Sequence, residues 1–452
     1  MKSLISSICR LRLTLPYAII SVSVFFSMCT HSAALSLSQT QQHVVANDPF
    51  LEGSNYRKKA LENEKMAADY WSNPQLSSSI QNLPTNGFSL NQEPMTQFKV
   101  GIKQALPRGD VNTLKQQKYA AKSKVVSAES VSRALWLKRE ASVDWLNWYY
   151  ASQREVLVDQ ERKLLEKLLE FTQSHYTQAI DGASQQDILQ VRIAQLALED
   201  KATQTHQLVE EAKARLSKWF GAPIVSTKPD APSDKSILLG YEMSSKQLSR
   251  LIDQSEPFTL FQYHPEAQAL KLQTRVKAAE LAIEKEQTKA QWTVDASYGY
   301  RQDAENGASR ADFVSIGVNV DLPFFNRAKQ NALIGAAASR MHAKETEFRL
   351  KVNALASQAE VLRNRLTSLS EREVLYLNGL KQEVEQLAAS ILSAYASDEA
   401  SIEDVVRAQL RQVEIEETLL SIDVQKMETL IMLAYLYLPV SSYAQSTVGA
   451  SR

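Results

Sequence analysis

The stretch FVSIGVNVDLP, Phe313 to Pro323, alternates Val314, Ile316, Val318, Val320 and Leu322 with Ser315, Gly317, Asn319 and Asp321. Extended backbone turns successive side chains to opposite faces, so this stretch has one apolar face and one small or polar face. Its earlier counterpart is FKVGIKQALP, Phe98 to Pro107. Gly101 matches Gly317 and Leu106-Pro107 matches Leu322-Pro323, in each case 216 positions apart. The same spacing relates Pro49 to Pro265. Matches at one spacing point to a unit that occurs twice, so the chain is read as two copies.

The 452 residues carry 51 basic and 51 acidic side chains, a balance that argues against a nucleic-acid surface. Gly and Pro number 13 each and fall in a few places, leaving long regions open to helix. Lys2, Arg10 and Arg12 precede an apolar run from Leu13 to Met28, and Ser32-Ala33-Ala34 offers small residues for cleavage. Residues 1–34 therefore read as a signal peptide, with a mature chain from about Leu35. Cys9 and Cys29 both lie in that segment, which leaves the mature chain without a disulfide or thiolate metal site. Cys29 carries a second, weaker reading as a lipidated N-terminal cysteine, with Met28 and Phe26 where a lipoprotein signal usually has a small residue and Leu.

The first copy spans 35–221. Two short helices lead to strands at about 74–82 and 96–107, joined through the turn residues Leu83 to Gly87. No Gly or Pro then occurs between Gly109 and Gly182, and a helix over that length would be on the order of 110 Å long. Such a length belongs to a coiled coil or a helical barrel. Asp181-Gly182-Ala183 marks a turn, and Ser184 with Asp187 three residues on forms a helix start, so 110–220 is a helical hairpin. Residues 222–262 read as a connector with a small helix.

The second copy, 263–438, repeats the order. A helix from Pro265 precedes strands at about 291–301 and 312–323 and a hairpin over 326–438, with Ser401 and Asp404 repeating the cap. Its last helix has a heptad through Val406, Leu410, Val413, Leu420, Val424, Met427, Ile431, Ala434 and Leu438, with Glu417 the one polar member. A polar tail fills 439–452.

Four strands cannot close a barrel around side chains, and exposed apolar strand faces invite aggregation unless something covers them. If lipid meets the apolar face and water the polar face, the strands belong to a transmembrane barrel that other chains complete. In this register Val314, Ile316, Val318, Val320 and Leu322 face lipid, while Lys99, Lys103, Asp295, Arg301 and Asp321 face a lumen.

The chain resembles outer-membrane efflux proteins of the TolC type over nearly all of its mature length. The resemblance is carried by the duplicated unit, by Asn73-Pro74-Gln75-Leu76 leading into strand one, and by Gln104 to Gly109 leaving strand two. Tyr176 and Gly182 before Asp187-Ile188-Leu189 carry it at the first tip. Tyr395 and Asp404-Val405-Val406 match the second tip with two residues fewer between them and no Gly, which leaves that tip's geometry open.

The resemblance implies a mainly α fold with a small β part: a trimeric 12-stranded outer-membrane β-barrel continued by a 12-helix periplasmic α-barrel. It implies a homotrimer working with a periplasmic adaptor and an inner-membrane pump of RND or ABC type, performing no chemistry and using no cofactor. The Asn73 to Leu76 motif with Asn82-Leu83-Pro84 is most similar to the heavy-metal cation efflux branch, with drugs or secreted proteins as the alternative cargo. A periplasmic adaptor would carry one hairpin among several small β-domains. A coiled-coil scaffold would leave the four strands and the signal peptide unexplained.

Asp181, Asp187, Asp398, Glu399, Glu403 and Asp404 near the tips are candidates for an acidic gate, since rings of carboxylates favour cations. Capping accounts for Asp187 and Asp404 more simply. Gly182, Ala183, Ser184 and Ser401 are the candidate adaptor contacts, although a plain turn also asks for Gly182. Trp136, Trp145, Trp148, Tyr149 and Tyr150 read as helix packing before they read as a ligand box. His43, His175, His206, His264 and His342 lack ligand spacing, so no metal site is expected in the chain. There is no Gly-rich phosphate loop after a strand and no nucleophile elbow, and an enzyme is not expected.

Overall fold

A computed structural model of the chain describes residues 34–177, 184–224, 228–232, 258–397 and 399–437. The signal segment with Cys29, the tip residues Asp181, Gly182, Ala183 and Asp398, most of the 222–262 connector and the 439–452 tail lie outside the described residues.

Helices α1 (Leu37–Ala46) and α2 (Pro49–Ala67) precede strands β1 (Gln75–Gln81) and β2 (Gln97–Ala105). Next come α3 (Val111–Thr177) and α4 (Gln185–Ser217), then α5 (Pro265–Glu286), β3 (Gln291–Tyr300) and β4 (Phe313–Asp321). Helix α6 (Arg327–Leu375), a π turn over Tyr376–Leu380, α7 (Lys381–Ala396) and α8 (Ile402–Leu436) complete the chain. Pro49 and Pro265 each open a helix, where a missing N–H costs nothing, behind the N-caps Asp48 and His264.

The four strands form one antiparallel sheet in the order β1-β2-β3-β4. Both hairpin loops stand at one end of it and all helices at the other. The register sets Leu76 opposite Ile102, Ile102 opposite Ala296 and Ala296 opposite Ile316. One face is therefore apolar across all four strands. Asn82 ends β1 at φ 55°, a left-handed conformation that Asn tolerates, and its side chain donates to Met95 O at 3.1 Å to close the loop.

At 67 residues α3 runs about 100 Å, uninterrupted by Gly or Pro. It packs against α4 and α8 and, nearer the sheet, against α1, α2 and α5. Of the two glycines expected to interrupt the helix over about 326–396, Gly335 lies within α6 and Gly379 within the π turn. Two larger apolar cores result. The one toward the sheet gathers Leu37, Trp145, Trp148, Leu216, Ile431 and Tyr435. The one toward the tips joins the two hairpins through Leu165, Val191, Ile402 and Val405. Trp145 and Trp148 are fully buried, so the aromatic zone of α3 is core. The Trp145 indole donates to Leu35 O at 3.0 Å, pinning the start of the described chain.

Candidate conducting surface and helical tips

The sheet's two faces differ in chemistry and in exposure. Leu76, Ile80, Phe98, Val100, Ile102, Trp292, Val294, Tyr298, Tyr300, Val314, Ile316 and Val318 share one face and stand exposed, Ile316 at 79%. The opposite face carries Ser77, Ser79, Lys99, Gly101, Lys103, Thr293, Asp295, Ser297, Gly299, Ser315, Gly317, Asn319 and Asp321. Along β3 the small polar side chains are less exposed than the large apolar ones, as on the concave side of a curved sheet. Val320 shares the apolar face and is half-buried, and Leu322 follows β4 as an exposed residue of extended backbone. No helix among the described residues is long and apolar enough to cross a membrane. The exposed strand face is the apolar surface that needs a cover.

Glycine thins the polar face where side chains cross it. A Cβ at Gly317 would meet the Asp295 carboxylate at 2.7 Å, and one at Gly101 would meet Ser297 and Ser77 at 3.1 and 3.2 Å. Asn319 donates to Asp295 Oδ1 at 2.8 Å across this row.

At the junction of sheet and helices, Arg108 forms an ion pair with Asp321 and donates to Gln287 O at 2.8 Å. Glu286 accepts from Asp110 N at 2.9 Å and pairs with Lys289 at 2.7 Å, which keeps its carboxyl below the usual range. Gly109 is in the left-handed region at φ +51°, and a Cβ there would strike Glu286. These contacts tie the exit of the first hairpin of strands to the second. The duplicated Leu-Pro pairs mark the place in the sequence, but a partner more than 200 positions away leaves no local signal.

At the first tip, Ser184 and Asp187 form a capping box: Ser184 N donates to Asp187 Oδ2 at 2.8 Å and Asp187 N to Ser184 Oγ at 3.3 Å. At the second, Asp404 N donates to Ser401 Oγ at 3.2 Å and Ser401 Oγ to Asp404 Oδ2 at 2.6 Å. The Ser401 side chain, its backbone and the Arg407 cation hold the Asp404 carboxyl below the ordinary range. Arg407 also pairs with Glu403 at 2.5 Å, while Glu399 N donates to Ala394 O at 2.9 Å in the turn. Phe171, His175 and Tyr395 cluster just above, with centroids 4.2 to 6.2 Å apart, and join α3 to α7.

Two polar groupings went unread in the sequence. Glu417 pairs with Arg154 of α3 and, at 3.3 Å, with Lys201 of α4, which also reaches Glu161 at 3.1 Å. The polar break in the α8 heptad was the visible sign of this network. Nearer the sheet, His264 is 4% exposed, donates through Nε2 to Tyr435 O at 3.3 Å and accepts from Glu266 N at 3.3 Å. Burial pushes its pKa from 6.5 down to about 4. Glu266 takes hydrogen bonds from the Tyr435 hydroxyl and from Lys351 at 2.7 Å; against the cost of burial, these hold its carboxyl below the usual range. Among the described residues, no three His, Cys, Asp or Glu side chains gather as a metal site.

This architecture is that of the outer-membrane efflux channels, the TolC-type fold. The chain is similar to CusC, described for its transmembrane channel formation, with a TM-score of 0.72 at 12% identity over 89% of this chain and 91% of that one. VceC, an outer membrane protein of Vibrio cholerae, gives 0.70 at 13% over 89% and 96%. The open MtrE outer membrane channel of Neisseria gonorrhoeae gives 0.66 at 12% over 89% and 88%. No family model and no curated protein sequence matches the chain.

Proposed function

We propose that the chain is the outer-membrane exit duct of a tripartite efflux system. Three copies close a twelve-stranded barrel by pairing the free edges of β1 and β4, and the four long helical limbs of each copy build a twelve-helix tunnel below it. The observation that carries this reading is the sheet itself: an exposed apolar face across all four strands, a polar face behind it, and two unpaired edges. Strands of 7 to 10 residues approach the 9–11 needed to cross a bilayer. The shared fold of CusC, VceC and MtrE supports the same reading.

An inner-membrane pump of RND or ABC type and a periplasmic adaptor supply the cargo, with the adaptor meeting the tips around Gly182, Ala183, Ser184 and Ser401. Asp181, Asp187, Asp398, Glu399, Glu403 and Asp404 are the candidates for an acidic gate at the periplasmic mouth, with Asp187 and Asp404 serving as helix caps as well. Heavy-metal cations are the cargo suggested by the Asn73 to Leu76 motif with Asn82-Leu83-Pro84, and drugs or secreted proteins fit the same duct. Fractionation of a Gram-negative host tests the proposal: the expected result is recovery in the outer membrane and ion conduction after reconstitution. A soluble periplasmic protein without conductance would overturn it.

A further inference from the structure

The charges on the polar face of the sheet are unevenly placed. Near the helices they balance. Arg108 pairs with Asp321, and Lys103 stands opposite Asp295 in the register. Toward the hairpin loops they do not. Lys99 stands opposite Gly299 and Ser79, with Phe313 next across the sheet, and no carboxylate shares its row.

Just beyond β3, Arg301 donates to the carbonyls of Pro94, at 3.0 Å, and Ala311, with its guanidinium 3.9 Å over the Phe313 ring. Carbonyls and a ring fix this cation without cancelling its charge. Asp312, the acid that interacts electrostatically with Arg301, accepts from Arg301 N at 2.8 Å and from the Tyr298 hydroxyl, and Tyr298 belongs to the apolar face. One oxygen of this carboxylate is thus drawn to the apolar side, and it offsets the Arg301 charge only in part. The loop rim above is net acidic, with Glu93, Asp303 and Glu305 against Arg310, whose backbone N–H donates to Asp303 Oδ1 at 3.1 Å.

We propose that Lys99 and Arg301 form a positive girdle in the outer half of the barrel that makes the duct prefer anions, inorganic ones and solutes bearing a carboxylate or phosphate, and so favours the drug cargo over heavy-metal cations. This rests on the duct reading, because only three copies around a lumen turn the pair into a ring. Rings of Arg and Lys select anions as rings of carboxylates select cations. Screening over about 8 Å at physiological ionic strength weakens the preference, which grows as salt is lowered.

The test is the reversal potential of the reconstituted full mature chain in a planar bilayer under a KCl gradient. The wild type is expected to reverse on the anion side, and Lys99→Gln to shift toward cations. Lys99→Cys separates charge from folding, since the mature chain has no other cysteine. Labelling it after insertion with a cationic thiol reagent should restore the anion preference, and an anionic reagent should move the potential further toward cations. A conducting pore whose reversal potential ignores these changes overturns the girdle and leaves the duct standing. A chain that forms no conducting pore overturns the duct, and the girdle with it.

Discussion

Lys99 and Lys103 in β2 stand where Ser315 and Asn319 stand in β4, each pair 216 positions apart, while Asp295 in β3 corresponds to Ser79 in β1. The two halves thus repeat the apolar face and diverge on the polar one. The N-caps diverge in the same way: Asp48 pairs with Arg133 at 2.9 Å, whereas His264 in the same place is buried beside Glu266 and Tyr435. The tips diverge too. The stretch between α7 and α8 is two positions shorter than that between α3 and α4, and among the described residues the π turn belongs to the second hairpin alone. The alternation that turns apolar side chains to one face is set by the backbone and survives duplication. What points the other way is free to specialise.

The comparison is broken most forcefully on the apolar face. Val318→Lys places a charge there at about 2–4 kcal/mol per copy in mid-membrane, and should abolish outer-membrane assembly. Asn319→Lys, one position on and on the polar face, should assemble. Immunoblots of outer-membrane fractions decide, and equal tolerance would show that the register is wrong.

The second test sets the two N-caps apart. The folded pKa of His264, about 4, lies below 6.5, so the unfolded chain takes up the proton first and stability falls with pH across that window. The loss is on the order of 3 kcal/mol, complete below the folded pKa and absent above 6.5. His264→Asn keeps the cap and should flatten the dependence in thermal melts of detergent-solubilised protein between pH 7 and 5. The charges facing the ring are those of Glu266, Lys351 and Arg139.

A smaller difference separates the paired glycines. Gly317→Ala displaces the Asp295 carboxylate from Asn319, at about 1 kcal/mol for the lost hydrogen bond. Gly101→Ala needs its neighbours to give only a few tenths of an ångström and should cost less in the same melts. The caps differ from these in reach rather than size: Ser184→Ala and Ser401→Ala should each cost about 1 kcal/mol but only locally, seen as faster amide exchange in the first turns of α4 and α8. Unchanged exchange at either would remove its box from the account.

The fold was legible because its signals are periodic. Val314 to Leu322 alternate over a full strand, and a helix the length of α3 needs only the absence of Gly and Pro to be seen. The capping pairs Ser184-Asp187 and Ser401-Asp404 were legible because both partners lie within one turn. The Arg108–Asp321 clamp, the Glu417 network and the His264 cluster were not, because each joins residues brought together only by the packed fold. The π turn escaped as well: Gly379 was visible, but a lone helical glycine does not announce whether the helix continues, kinks or widens.

A closed barrel requires three copies that complete one another's sheet. The measurement that bears on it most directly is the native mass of the protein extracted from the outer membrane in mild detergent. A mass of three mature chains is the predicted result. A single chain, or a pair, would leave the edges of β1 and β4 open and contradict it.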